Sequence, residues 1–362
     1  GDCGKSTGAS GRNVGRLTVM EKIGGNTVAE TRKKSLSVIY NGTEAWSELF
    51  PVMDRFTYND SVDQSDTISF EISDRDQKWI KGWIPERGDI IEPCIKTENW
   101  NYEGERLMLL CGSFVVDDFS FSAATLRGSI NGVSAPVDSC FKETQNTKTW
   151  ENATVQLIAG EFAAKYGLSL VFDAEDIQVE KTEQSKQTDS DFLKQICEKY
   201  GLGYKVYAKR LVIWDYRRYF AQAPVLTLSP DTVRSWKYHS TMQGTYTGVR
   251  VSYKNPKTKK MVDVLVGTEE RLYKTNQKAD NEAEAKLIGE GVLLKANRKA
   301  STMQITTPPY LSLTATRTVR ISGFGQMDDV YFIESVKHSI TRKAYDMQLQ
   351  LSRISECSLK QG

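Results

Sequence analysis

Residues 319–353 read VRISGFGQMDDVYFIESVKHSITRKAYDMQLQLSR. Near the end of this stretch Met347, Leu349 and Leu351 alternate with Gln348, Gln350 and Ser352, the period of two that gives a half-buried strand one apolar face. Two further strands precede it. The first ends at the glycine pair around Phe324, and Met327-Asp328-Asp329 turns the chain. The second runs from Val330 to Ile340, polar Thr341-Arg342-Lys343 turns it again, and Tyr345 opens the third. The middle strand alternates with one slip. Tyr331 and Ile333 share a face, whereas Val336, His338 and Ile340 have the other parity. An extra residue near Glu334-Ser335 reconciles the two sets, so the spacing predicts a β-bulge there, of the kind a sheet needs when it bends toward a barrel.

The same period appears near the other end of the chain. Leu36, Val38 and Tyr40 alternate into the turn Asn41-Gly42, and Ile68, Phe70 and Ile72 alternate with polar residues. Short apolar runs follow at 90–91, 107–110, 114–116, 119–121 and 126–130, separated by Gly or Asp. Several short strands without helical periodicity predict a small barrel or sandwich.

Residues 150–215 differ, and they repeat. Ala159, Phe162, Ala163 and Tyr166 have helix-face spacing, and Leu193, Ile196, Cys197 and Tyr200 reproduce it 34 positions later. Both helices end in Tyr-Gly-Leu, at 166–168 and 200–202, with the glycine as cap, and both lead into alternating strands. The polar stretch 180–191 is expected to join the halves of this duplicated helix–strand unit. Beyond Pro224 the β pattern returns. Val249, Val251 and Tyr253 are expected to pair with Val262, Val264 and Val266 across a basic tip, residues 257–260. One helix follows, with Asn281 and Glu284 as its N-terminal cap pair and Ala283, Leu287, Ile288 and Leu294 as its apolar stripe. Gly289 and Gly291 should weaken that helix by roughly 1 kcal/mol each relative to Ala, so it is expected to lean on a sheet.

These patterns divide the chain into a flexible glycine-rich arm (1–33), an all-β domain (34–140), a small duplicated α/β domain (141–222) and a second β domain with one packed helix (223–362). The fold class is mixed and mainly β. At 362 residues, 39 % hydrophobic and 26 % charged, the chain has the composition of a soluble protein with two or three cores. The net charge of +2 argues against a dedicated nucleic-acid binder. No apolar run approaches the roughly 20 residues that span a bilayer, and the polar N-terminus GDCGKSTGASGRNVG shows no signal peptide. Cys3, Cys94, Cys111, Cys140, Cys197 and Cys357 form no C-x-x-C pair. With only His239 and His338 beside them, they predict neither a zinc site nor a disulfide scaffold, and they read as free thiols in a reducing cytoplasm.

No catalytic constellation emerges, and no catalytic, cofactor or metal residue is assigned. Gly4-Lys5-Ser6 matches only the tail of a phosphate-binding loop, without the preceding glycine and strand. His338 shares the parity of Val336 and Ile340, which makes it a packed histidine. Neither histidine is accompanied by a serine elbow. Asp117-Asp118, Asp328-Asp329 and the cluster Asp173/Glu175/Asp176 fall at strand ends and loops, where turn and cap roles account for them. Lys257 to Lys260 suit a solvated hairpin tip.

In its order of segments the chain resembles the baseplate hub of contractile phage tails, the late control protein D family, and the hub part of type VI secretion spikes and R-type bacteriocins. The resemblance rests on Thr67-Ile68-Ser69-Phe70-Glu71-Ile72 followed by Pro85-Glu86-Arg87-Gly88-Asp89, and on Thr188-Asp189-Ser190-Asp191-Phe192-Leu193 with Tyr200-Gly201-Leu202 and Leu211-Val212-Ile213-Trp214-Asp215. It continues through Gly323-Phe324-Gly325, Tyr331-Phe332-Ile333, Val336-Lys337-His338 and Leu349-Gln350-Leu351, and so covers about residues 34 to 355. It implies two tube-like β-barrels flanking the α/β domain, and a homotrimer whose pseudo-sixfold ring joins a hexameric tail tube to a trimeric spike. The implied partners are other copies of the chain, tube or tube-initiator proteins, the central spike and other baseplate proteins, with no membrane anchor, no specific nucleic-acid binding and no cofactor. Assembly in the bacterial cytoplasm into a virion or tail-like particle is the implied location. A tail-associated cell-wall hydrolase and a surface-glycan binding module are the alternatives.

Overall fold

The structure, a computed structural model, describes residues 17–19, 31–62, 64–82, 84–122, 126–134, 140–207, 209–255 and 259–356. Gly4-Lys5-Ser6, Cys3, Cys357 and part of the basic tip, including Lys257, lie outside them. The N-terminal third supplies strands β1 (Leu17–Val19), β2 (Lys33–Tyr40), β3 (Met53–Ser61), β4 (Thr67–Ser73), β5 (Ile90–Glu98), β6 (Arg106–Leu110), β7 (Phe114–Ser122) and β8 (Arg127–Val133). The middle contains β9 (Gln145–Thr154), α1 (Val155–Lys165), β10 (Ser169–Asp173), β11 (Gln178–Thr188), α2 (Asp189–Lys199), β12 (Leu202–Tyr207) and β13 (Arg210–Asp215). The last third contributes β14 (Ser235–Ser240), β15 (Gly248–Lys254), β16 (Met261–Gly267), β17 (Leu272–Thr275), α3 (Glu282–Asn297), β18 (Ser301–Thr307), β19 (Thr318–Ile321), β20 (Asp329–Thr341) and β21 (Tyr345–Arg353).

The fold is mainly β, as expected, and its two ends are one sheet. Fifteen strands are linked, with a main path β1-β6-β5-β7-β8-β4-β3-β20-β21-β18-β14. The link between the ends is the antiparallel pair β3–β20, in register from Ser61↔Ser335 to Arg55↔Thr341. On the N-terminal side Leu36, Phe56, Phe70, Ile95, Phe114 and Ile130 form one buried cluster. On the other side Met303, Ile305, Val319, Ile333, Val336 and Leu349 form a second. The predicted bulge is present: the β20–β21 register shifts between Ile333 and Ser335. β3 lacks the sequence signature of a strand. Its alternation of Phe56 and Tyr58 is broken by a register shift between Met53 and Arg55, and Asp54, Arg55, Asn59 and Asp60 make it look like a loop. The two short strands expected at 114–116 and 119–121 are one strand, β7, whose parity changes at a shift between Val116 and Asp118.

The duplication in the middle is real and longer than its apolar signal. Each copy is a strand, a threonine N-cap, an eleven-residue helix, a Tyr-Gly turn and a second strand. Thr154 caps α1 through Leu157 N–H, and Thr188 caps α2 through Asp191 N–H. The stretch expected to be a linker is the strand β11, paired antiparallel with β9. Its residues QVEKTEQSKQT carry almost no apolar signal, because most of them face solvent. The closing strands of the two copies flank β13, β10 parallel and β12 antiparallel to it.

The hairpin β15–β16 pairs in the expected register, Val249↔Val266, Val251↔Val264 and Tyr253↔Val262, and α3 leans on it. The apolar face of this helix differs from expectation. Ala285, Ile288, Gly289, Leu293 and Leu294 are buried, whereas Ala283 is exposed. Both glycines are sites of close approach. A Cβ on Gly289 would lie 2.7 Å from the Val266 side chain, and one on Gly291 would lie 2.7 Å from Gly201 N and Lys199 O. Absence of a side chain lets α3 seat between the hairpin and the end of α2, a gain that offsets the low helix propensity. Val249, Val251, Val266, Ala285 and Ile288 therefore share a core with α1 and α2 and not with the terminal strands.

Candidate functional site

Where the α/β unit meets the sheet, three charges are buried together. Lys205, on β12, reaches out of its own unit to Asp60 Oδ1 at 2.8 Å and Asp66 Oδ1 at 2.5 Å, with side chains 7 %, 2 % and 0 % exposed. Backbone donors complete the cage: Ala315 N–H donates to Asp60 Oδ2 and Ser61 N–H to Asp66 Oδ1. Taking ionic groups out of water is repaid only in good geometry, so the triad favours one docking geometry more than it adds net stability. An aromatic cluster lies in the same joint: Trp214, Tyr216 and Phe220 pack with Phe332 of β20 and Val62. The Phe220–Phe332 rings are 5.0 Å apart and edge-on. Arg298, at the end of α3, covers Tyr216 at 4.6 Å and pairs with bulge residue Glu334 at 3.2 Å. Glu334 also accepts from Ser352 Oγ at 2.7 Å. The bulge thus aims a carboxylate at the joint, a use of the extra residue that strand parity alone does not reveal.

The helices are fastened to one another by a repeated device. At the end of α1, Lys165 Nζ and Tyr166 Oη both donate to Asp189 Oδ2 at 2.7 Å, and Asp189 is the first residue of α2. At the end of α2, Lys199 Nζ (3.0 Å) and Tyr200 Oη (2.8 Å) donate to Glu284 Oε1, in the first turn of α3. Each acid lies where the helix dipole favours negative charge. Burial pushes the Asp189 carboxyl up, but hydrogen bonds from Gln184, Lys165, Tyr166 and Asn146 outweigh it and hold it below the usual carboxylate range. Burial also raises Glu284, and the Asp280 N–H, the Lys199 charge and hydrogen bonds from Lys199 and Tyr200 bring it below its ordinary value. The repeated Lys-Tyr-Gly-Leu at 165–168 and 199–202 carried this signal in the sequence, but the acids that answer it are 23 and 84 residues from their tyrosines.

The histidines, loop carboxylates and thiols are dispersed. His338 is 1 % exposed, stacked on Tyr58, with Nδ1 2.8 Å from Tyr345 Oη. His239 lies exposed on β14. Asp328 accepts from Gly323 and Phe324 N–H, Asp176 from Gln156 N–H, and Asp118 from Asn131. Asp173 accepts from Tyr219 and pairs with Arg218. Cys94, Cys111 and Cys197 are buried free thiols, and burial raises the Cys197 thiol well above its ordinary value. Among the described residues no group of three or more His, Cys, Asp or Glu side chains could hold a metal ion. No helix among them is long and apolar enough to cross a membrane. A polar cleft of about 330 Å³ at the start of α2 is lined by Ser65, Lys142, Ser190, Lys194 and Tyr204. Four of these side chains already bond in pairs, Lys142 to Ser65 at 2.9 Å and Ser190 to Tyr204 at 2.6 Å.

The remaining features are surfaces. β14 ends the sheet path and exposes Trp236, which packs edge-on against Phe324 at 5.4 Å. The edge strands β16 and β17 of the smaller sheet expose Met261, Leu265 and Tyr273. Open edges and scattered large apolar side chains are the raw material of assembly contacts.

Comparison with known proteins follows the same line. The phage tail baseplate hub (GPD) family matches residues 134–344, more than half of the chain. The fold is similar to that of a tail protein from Neisseria meningitidis MC58, with a TM-score of 0.69 at 16 % identity over 90 % of this chain and 98 % of that one. A 43 kDa tail protein of prophage MuSo2 from Shewanella oneidensis gives 0.67 at 14 % identity over 89 % and 98 %. An E. coli component of the type VI secretion system, described as structurally similar to the T4 bacteriophage tail proteins gp27 and gp5, gives 0.54 at 14 % identity over 85 % and 76 %. No curated protein matches the chain by sequence.

Proposed function

Because the chain belongs to the phage tail baseplate hub (GPD) family, we propose that three copies close into a ring that joins a tail tube to a central spike. Its role is that of a structural hub of a phage tail or tail-like particle. The observation that carries the ring reading is the β3–β20 pair, which fuses strands from the two ends of the chain into one sheet. A subunit that supplies two neighbouring tube-like segments needs those segments held in fixed relation, and main-chain hydrogen bonds with a buried core on either side do that. Each half is then one barrel-like segment, three chains make six, and six match a hexameric tube. The α/β unit, locked on by Lys205 and the aromatic joint, lies outside this sheet and is available to other baseplate proteins. No step of this role calls for catalysis.

The test is solution mass by light scattering, alone and with the spike and tube partners, followed by electron microscopy. The expected species has three times the chain mass of 40.8 kDa, with a central hole. A chain that stays monomeric at every concentration and with both partners present would overturn the ring.

A further inference from the structure

We infer that Leu17–Val19 is an intramolecular cover for the apolar edge strand β6, which it keeps from pairing with another copy of the chain. β1 pairs antiparallel with β6 in the register Leu17↔Leu109, Thr18↔Met108 and Val19↔Leu107. On its other side β6 pairs with β5. Without β1, β6 would be the last strand on this branch of the sheet. Its sequence is RLMLL, and apart from Arg106 at its start, which pairs with Glu98, the part level with β1 is Leu107-Met108-Leu109. It has no proline, no lysine and no bulge, and Leu110 is exposed. An apolar edge of this kind is a template for pairing with a further chain. Leu17-Thr18-Val19 are residues suited to a strand, and they occupy that edge.

The register also shows that the cover can come from the same chain. Val19 is level with Leu107, Leu107 with Thr97, and Thr97 with Lys34 at the start of β2. The end of β1 and the start of β2 are therefore level and three strand spacings apart, about 14 Å. The residues between positions 19 and 34 are several times longer than that gap when extended at about 3.3 Å each. A three-residue strand contributes few hydrogen bonds, so the cover is also displaceable. This inference is independent of the ring: it concerns what the free chain does with one edge, whatever it later assembles with.

The experiment is cross-linking of full-length Thr18→Cys/Met108→Cys with a short bis-maleimide, in a background with Cys3, Cys140 and Cys357 replaced by serine. The expected product is a link within one chain, at a rate independent of protein concentration and absent from either single cysteine variant. A parallel deletion of residues 1–19 should speed amide exchange in β6 about ten-fold or more and raise self-association. Links between chains, at a rate that rises with concentration, would overturn the intramolecular assignment. No link, together with unchanged exchange on deletion, would overturn the cover itself.

Discussion

Lys205 Nζ is 2.8 Å from Asp60 and 2.5 Å from Asp66, and its side chain is only 7 % exposed. Lys205→Met removes the cation that both carboxylates share while keeping most of the apolar stem. The expected cost is about 3–5 kcal/mol, the penalty for leaving buried charge without its partner. Urea unfolding measures it. The triple variant Lys205→Met/Asp60→Asn/Asp66→Asn should recover a large part of the loss, since the amides keep an acceptor for Ala315 and Ser61 N–H and no longer carry charge. Equal stability of the single and triple variants would show that the triad's charge is not what matters. At this scale the sequence was informative about neighbours and silent about partners. His338 was legible as a packed residue from the parity of Val336 and Ile340. The pairing of Lys205 with Asp60 was not, because 145 residues separate them.

Among the elements, the fastening of α1 to α2 and of α2 to α3 has a definite pH signature. Asp189 and Glu284 both have folded-state pKa values below their ordinary ones. The unfolded chain therefore binds more protons in the acid range, and stability falls as pH falls. The contribution is fully present above the unfolded carboxylate values of about 4 and is lost as pH drops through the lowered folded values. Asp189→Asn and Glu284→Gln should each lower stability at neutral pH and flatten the acid limb of a stability–pH curve. A curve as steep as that of the parent chain would remove these acids from the account. The helices themselves were readable because their apolar spacing is local. The strand β11 was not, since a strand with solvent on most of its faces has no alternation of hydrophobicity to read. Gly289 and Gly291 were legible only as weak points, and packing turned them into contacts.

For the whole molecule the consequence of β3–β20 is mechanical continuity. Leu349 is fully buried on the C-terminal side, paired with Val336 and Ile305. Leu349→Ala should cost about 2–5 kcal/mol as a buried leucine truncation. If the sheet acts as one body, hydrogen exchange should then accelerate in β4 and β8 of the N-terminal half as well as in β18. Acceleration confined to the C-terminal strands would mean that the halves unfold separately and that the junction transmits little.

The sequence by itself determined what local period can encode: the mainly β class, the bulge in β20, the duplicated helix units with their Tyr-Gly ends, and the register of the β15–β16 hairpin. Each of these follows from periodicity within single elements or across one hairpin, where the geometry of strand and helix is fixed. Only the tertiary structure decided that the two ends form one sheet, that α3 and its hairpin share the core of the duplicated unit, and that Lys205 locks that unit in place. Those outcomes rest on contacts between distant segments, each compatible with several partners until the burial of all of them is satisfied together.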